Sequence, residues 1–167
     1  MWEIIIGIPF MAITGFLQVS LTSRIHLLQG TPDLILLSIL AWSINDRSKY
    51  AWIVVIFAGL VMSYLSAMPM NGYLWMYLLL WMIIRFLKMK VWQMPMILML
   101  FMTIIGTILV SVGTLGLLFL QNASVVYMDA VSQILIPSLV LNLIFAVPIY
   151  AFLNDVINSI YLNEAAE

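Results

Sequence analysis

Six long apolar runs fill this chain, and almost every charge stands in the gaps between them. The runs cover residues 2–21, 32–44, 51–68, 72–87, 94–120 and a stretch within 130–153. Crossing a bilayer takes roughly 20 apolar residues per helix, so a chain patterned this way is constrained before any single residue is read. A typical soluble domain is about half apolar and about a quarter charged. Here 65% of residues are hydrophobic and 8% are charged, and a water-soluble fold would have to expose most of that apolar surface. Six spans use roughly 120 of the 167 positions, which leaves no room for a soluble catalytic domain. The expected fold is an all-α polytopic membrane protein, a single domain of six transmembrane helices over 1–167. Barrel strands would alternate polar and apolar residues over about ten positions, and these runs are apolar on every side. Soluble globular, disordered, fibrous and nucleic-acid-binding classes are excluded together; the bilayer is the expected surroundings and nucleic acid is not a partner.

The net charge of −1 names no anionic or cationic partner. With no cysteine, disulfides, thiolate metal sites and a cysteine nucleophile are excluded. The first run starts at Trp2 with only Glu3 charged beside it. It lacks the positive region and small-residue cleavage site of a signal peptide, so it is expected to stay as a helix.

Within the runs, Pro9 is expected to kink the first helix. The second run is short for a span unless residues 25–28 enter the membrane. Pro69 and the Asn71-Gly72 pair mark a tight turn. The fifth run, roughly 40 Å long at about 1.5 Å per residue, must tilt or emerge. Pro137 and Pro148 are expected to break the sixth. With six spans, Arg47, Lys49, Arg85, Lys88 and Lys90 fall on one side and Arg24 alone on the other. By the positive-inside rule the basic loops and both termini are expected in the cytoplasm.

Enzyme motifs are absent: no phosphate-binding glycine loop, dinucleotide fingerprint, zinc-helix or nucleophile-elbow pattern occurs. The single histidine, His26, reads as a solvated loop residue, with proton sensing as the sharper alternative. Asp33, Asp129 and Asp155 sit near span ends and do not form a facing pair. No enzymatic activity, cofactor or metal is expected.

Three polar features stand out. In residues 29–34, Thr31 reads as the N-cap of a helix, Pro32 as its first position and Asp33 as a charge against the positive helix end. The functional alternative pairs Asp33 with Arg24 or with a partner protein. Asn142 is the deepest strongly polar residue of the last run; an amide there reads as glue between helices, with ligand contact as the alternative, and Gln18 is its candidate mate. Pro137 and Pro148 free backbone carbonyls that can line a cavity, although kinked packing is the commoner meaning. In the fifth run Thr103, Thr107, Ser111 and Thr114 recur at helical spacing beside Gly106 and Gly113, a small-residue stripe for close helix approach inside this protein or toward a partner. The 13 methionines and 6 tryptophans fit lipid-facing or helix-packing surfaces, with Trp2, Trp52 and Trp92 placed as an interfacial belt.

The run Pro32-Asp33-Leu34-Ile35-Leu36-Leu37-Ser38-Ile39-Leu40-Ala41-Trp42 resembles the P-D-L-x-L-x-x-x-x-A-W/L opening of an early helix in MreD, the bacterial rod shape-determining membrane proteins. Gly59-Leu60 and Gly72 sit where that family has a G-L-rich helix and a glycine after a short outer turn. Pro137, Asn142, Pro148 and Tyr150 look like its P-x-x-x-x-N-x-x-x-x-x-P-x-Y pattern. The resemblance covers the whole chain. In one place the chain departs from the family: Ser63 stands where the family often has an acidic residue four positions after the glycine.

The resemblance implies a non-enzymatic subunit of the peptidoglycan elongation complex in the bacterial inner membrane. It implies binding to MreC, and through MreC to RodA and a class B penicillin-binding protein. It also implies a fold similar to the six-helix substrate-binding subunits of energy-coupling-factor vitamin transporters. A small-molecule binding subunit of such a transporter is the alternative function. Against it, the first run lacks A-x-x-x-A, because Ala12 is flanked at four residues by Ile8 and Phe16, and the outer loops offer few polar groups. Residues singled out for a partner or structural role are Asp33, Arg24, Pro32, Asn142, Pro148 and Gly59.

Overall fold

The computed structural model describes residues 2–22, 27, 29–66, 71–88, 94–121 and 131–164. These form α1 (Trp2–Thr22), α2 (Leu34–Ile44), α3 (Ala51–Leu65), α4 (Gly72–Lys88), α5 (Pro95–Leu120) and α6 (Ile136–Glu164), with a π-helical turn, Val131–Leu135, leading into α6. Extended pairing among the described residues is one isolated bridge between Leu27 and Gly30. The chain is therefore all-helical there, as its unbroken apolar runs require.

Three helices are long and apolar enough to cross a membrane: α1, α5, and α6 with its π turn. Helices α2 and α3 are apolar but only 11 and 15 residues long, and α4 has 17 residues and ends on Arg85 and Lys88. The molecule is thus a membrane protein by its apolar helices, and six full spans go beyond their lengths.

The short α2 is the centre of the bundle. Every residue from Ile35 to Ile44 is buried, and the helix packs against α1, α3, α4, α5 and α6. A helix apolar all round is a core helix. Eleven residues rise only about 16 Å, about half the hydrocarbon thickness, so α2 cannot span alone. The outer helices turn large apolar side chains outward, among them Ile13 and Phe16 on α1, Trp75 and Phe86 on α4, and Phe152 on α6. Exposed apolar surface on this scale faces lipid or another protein.

Two close approaches lock the surrounding helices. A Cβ on Gly59 would lie 2.7 Å from the Leu74 Cα, so α3 and α4 meet backbone to backbone there. A Cβ on Gly30 would lie 2.6 Å from the Ser138 amide nitrogen, which pins the entry to α2 against the start of α6. The small-residue stripe of α5 packs inward: Gly106 faces Leu36 and Leu80, and the hydroxyls of Thr103 and Thr107 donate to carbonyls four residues back, each at 2.8 Å.

The last apolar run is not broken as the prolines suggested. Pro137 falls where the π turn passes into α6, and α6 continues through Pro148 on its exposed side. The kink expected at Pro9 likewise does not interrupt α1.

Candidate functional site

The ends of a short helix buried among others expose N–H and C=O groups that have no water to turn to. Both ends of α2 are met by polar side chains from neighbouring helices.

At the N-terminal end, three helices grip the segment that enters α2. Gln18 of α1 donates its Nε2 to the Pro32 carbonyl at 2.9 Å and accepts the Leu34 N–H on its Oε1 at 2.6 Å. Asn142 of α6 accepts the Asp33 N–H at 2.7 Å and donates to Thr107 Oγ1 of α5 at 2.9 Å. Ser138 Oγ accepts the Thr31 N–H at 3.1 Å, and the Gln29 N–H reaches the Gln133 carbonyl at 3.1 Å. Gln18 and Asn142 are thus not each other's mates; they bind successive residues of one strap.

Asp33, rather than Thr31, is the cap of α2. Its Oδ1 accepts the Leu36 N–H at 2.9 Å, the bond an N-cap side chain makes to the third helical residue. Pro32 therefore precedes the helix instead of opening it, and Thr31 spends its N–H on Ser138. The other carboxylate oxygen lies 3.5 Å from the hydroxyl of Tyr77, which is wholly buried on α4. Tyr77 in turn packs edge-on to Tyr73 at 5.8 Å. Among the described residues no basic side chain pairs with Asp33. The proposed partner Arg24 lies outside the described residues, as does His26.

Beside this cluster a partly open cavity of about 390 Å³ runs between α2, α5 and α6. Thr31, Asp33, Tyr73, Thr107, Ser138 and Asn142 supply its polar wall, and Leu36, Met62, Val110 and Leu118 part of its apolar one. That volume falls within the roughly 300–1,000 Å³ of small-molecule pockets. The described lining carries a carboxylate and no cation, so its chemistry suits a neutral or cationic group. The expectation that few polar groups converge here looked to the outer loops; Thr31 and Asp33 do come from the segment entering α2, and Tyr73, Thr107, Ser138 and Asn142 are added by α4, α5 and α6.

The six residues singled out from sequence therefore divide. Pro32, Asp33 and Asn142 come together at the entry to α2. Gly59 sits on the α3–α4 seam, Pro148 on the outside of α6, and Arg24 outside the described residues. Reading the sequence missed Tyr73, Tyr77 and Ser138. A serine in an apolar run can satisfy itself on its own helix, and a tyrosine there reads equally as an aromatic at the membrane interface, so neither gives much signal.

The C-terminal end holds a second cluster that reading the sequence missed. Glu3, only 2% exposed, accepts from Trp42 Nε1 at 3.1 Å, the Tyr50 N–H at 3.1 Å, the Tyr161 hydroxyl at 2.7 Å and the Ser48 hydroxyl. Lys88 of α4 donates to the Ser43 carbonyl at 3.3 Å and the Asn45 carbonyl at 3.0 Å, and pairs with Asp46 at 3.1 Å. Its ammonium completes the last carbonyls of α2, where a cation is favoured. The signal for Glu3 was available: a lone acid inside an apolar run faces the bundle interior and finds donors there.

Among the described residues no group of acids or histidines could hold a metal ion. Most of the polar groups at both ends of α2 bond backbone groups of the segments that enter and leave it. Comparison with protein-family models, with curated proteins and with solved structures finds no match. What fold and site define together is an all-helical membrane protein built round a short buried helix, with polar clamps at both of its ends.

Proposed function

We propose that this protein is a non-enzymatic integral-membrane subunit of the bacterial cell-elongation complex, an MreD-like protein that binds MreC and helps maintain rod shape. In this reading it lies in the inner membrane, all six helices enter the bilayer, and both termini face the cytoplasm with the basic loops. RodA and a class B penicillin-binding protein join it through MreC. The observation that carries the reading is the hydrogen bond from Asp33 to Asn142. The two sequence patterns behind the resemblance, P-D-L at α2 and P-x-x-x-x-N in α6, build one site although they are far apart in the chain. The apolar outer faces of α1 and α4 supply surface for lateral packing against a partner's membrane helix.

A second reading, a small-molecule binding subunit of an energy-coupling-factor transporter, is favoured by the cavity beside Asp33 and Asn142. One experiment separates the two. The tagged protein is purified from native membranes in mild detergent and its companions are identified. MreC and RodA in the eluate support the elongation subunit. ATP-binding-cassette subunits in their place overturn it in favour of the transporter subunit.

A further inference from the structure

At the opposite end of α2 from the cavity, the last residues of α2, the start of α3 and the last turn of α4 enclose a small recess. Its volume is about 60 Å³, and Ser43, Ser48, Lys49, Ala51, Trp81, Arg85 and Lys88 line it. A water needs about one probe sphere of such volume, roughly 10–15 Å³, so the recess has room for about four oxygen-sized groups. Three of the seven are cations. Lys88 is committed to Asp46 and to the α2 carbonyls. Lys49 and Arg85 have no carboxylate partner among the described residues, and the Arg85 guanidinium sits 5.6 Å from the centre of the Trp81 ring.

Two further donors face the same space. Ser43 is 7% exposed and its Oγ has no hydrogen-bond partner. A buried hydroxyl left unpaired is costly and marks a place where something else completes it. Helix α3 begins at Ala51 with no side-chain cap on its first-turn amides, and the positive end of a helix attracts anions. The nearby acids offset part of this field, since Asp46 pairs with Lys88 and Glu3 accepts the Tyr50 N–H at the start of α3, but three cations still stand against these two acids.

We propose that this recess binds the phosphate group of an anionic phospholipid, with Lys49 and Arg85 as charge partners and the Ser43 hydroxyl as an inner donor. The rim is the one that carries the excess of basic residues, and polybasic rims of membrane proteins gather anionic headgroups. The exposed Trp52 and Phe86 beside it offer apolar surface for the acyl chains. The proposal stands whether or not MreC is the partner.

The test uses the full chain, delipidated in a neutral detergent, and native mass spectrometry. Phosphatidylglycerol and phosphatidylcholine of matched acyl chains are offered, with inorganic phosphate as a soluble competitor. The wild-type protein is expected to retain one phosphatidylglycerol in clear preference to phosphatidylcholine. Each basic side chain near the surface accounts for about a fivefold effect, so the double variant Lys49→Gln/Arg85→Gln should lose about tenfold or more of that retention. Ser43→Ala should lower it several-fold while leaving the melting temperature in place, which a merely structural serine would not do. Equal retention of the two lipids by wild type, or an unchanged preference in the double variant, overturns the proposal. If inorganic phosphate alone displaces the lipid, the recess takes its anion from solution and the lipid assignment falls.

Discussion

The side-chain amide oxygen of Asn142 accepts the backbone N–H of Asp33 at 2.7 Å, across 109 positions of sequence. The same amide donates to Thr107, so one side chain ties α6 to both the entry of α2 and the middle of α5. Asn142 is 1% exposed, so both bonds are made inside the bundle. Replacing Asn142 with Leu leaves the Asp33 amide without an acceptor. Hydrogen bonds between membrane helices contribute roughly 0.6–2 kcal/mol, and an orphaned buried donor costs roughly 1–3 kcal/mol. Asn142→Leu is therefore expected to lower stability by about 1–3 kcal/mol, read as the melting temperature in detergent. An unchanged or raised melting point would show that the amide does not hold the helices together.

Glu3 makes the matching prediction at the other end of α2. Glu3→Leu removes the acceptor that Trp42, Ser48, Tyr50 and Tyr161 share. Trp42 is wholly buried, and a buried donor left unpaired costs roughly 1–3 kcal/mol, so the expected loss is at least about 1 kcal/mol. Glu3→Gln keeps one acceptor oxygen and should lose less than Glu3→Leu. Thermal unfolding followed by tryptophan fluorescence checks the order. If Glu3→Leu melts with the wild type, the cluster is not what seats α1 on α2.

Much of this architecture was legible because long apolar runs leave a chain few choices. The first run and α1 agree to within a residue, and the Asn71-Gly72 pair marks the start of α4, where Asn71 takes a φ of 52°. Asparagine tolerates that left-handed conformation better than most residues. The central place of α2 was not legible, because apolar residues on every side look the same facing lipid or core; only its 11-residue length hinted at burial. The start of α2 was misplaced by a similar degeneracy, since Thr31 and Asp33 are both capping residues and only geometry shows which one reaches a helical N–H. Gln18 and Asn142 were recognised as needing partners. Their true partner, the 29–34 strap, offers backbone groups, and backbone groups leave no mark in a sequence. Ser138 and Tyr73 stayed hidden for a like reason: a hydroxyl in an apolar run shows its role only when the helix opposite is known.

Orientation gives a third prediction. The excess of basic residues at Arg47, Lys49, Arg85 and Lys88 is expected to hold that rim in the cytoplasm. The chain has no cysteine of its own, so a single introduced one reports cleanly. Ser48 is a poor place for it, being bonded to Glu3, whereas Arg47 is exposed. Cysteine in Arg47→Cys should resist an impermeant maleimide in intact spheroplasts and react once the membrane is opened. Reaction in intact spheroplasts would invert the topology.

The last prediction concerns Asp33, which has two separable roles. One oxygen caps α2 through the Leu36 N–H, and the carboxylate also stands on the wall of the cavity. Asp33→Asn keeps a side-chain oxygen for the cap, since asparagine and aspartate rank alike there. It removes the charge, and a charge at a helix end contributes roughly 0.3–1 kcal/mol. If capping is the whole role, the variant loses no more than that in stability and nothing in partner affinity. If Asp33 forms an ion pair with MreC, leaving the opposite charge buried and alone should cost about 2–5 kcal/mol in binding. Affinity for purified MreC, measured beside the melting temperature of each variant, separates the two. Among the described residues no basic side chain pairs with Asp33, and its carboxylate, though it also meets the Leu36 N–H and the Tyr77 hydroxyl, lines the partly open cavity from which a partner's cation would reach it. The proposed function accordingly predicts that affinity falls while stability holds. Should both stay intact, Asp33 is a cap alone and the interface lies elsewhere on the bundle.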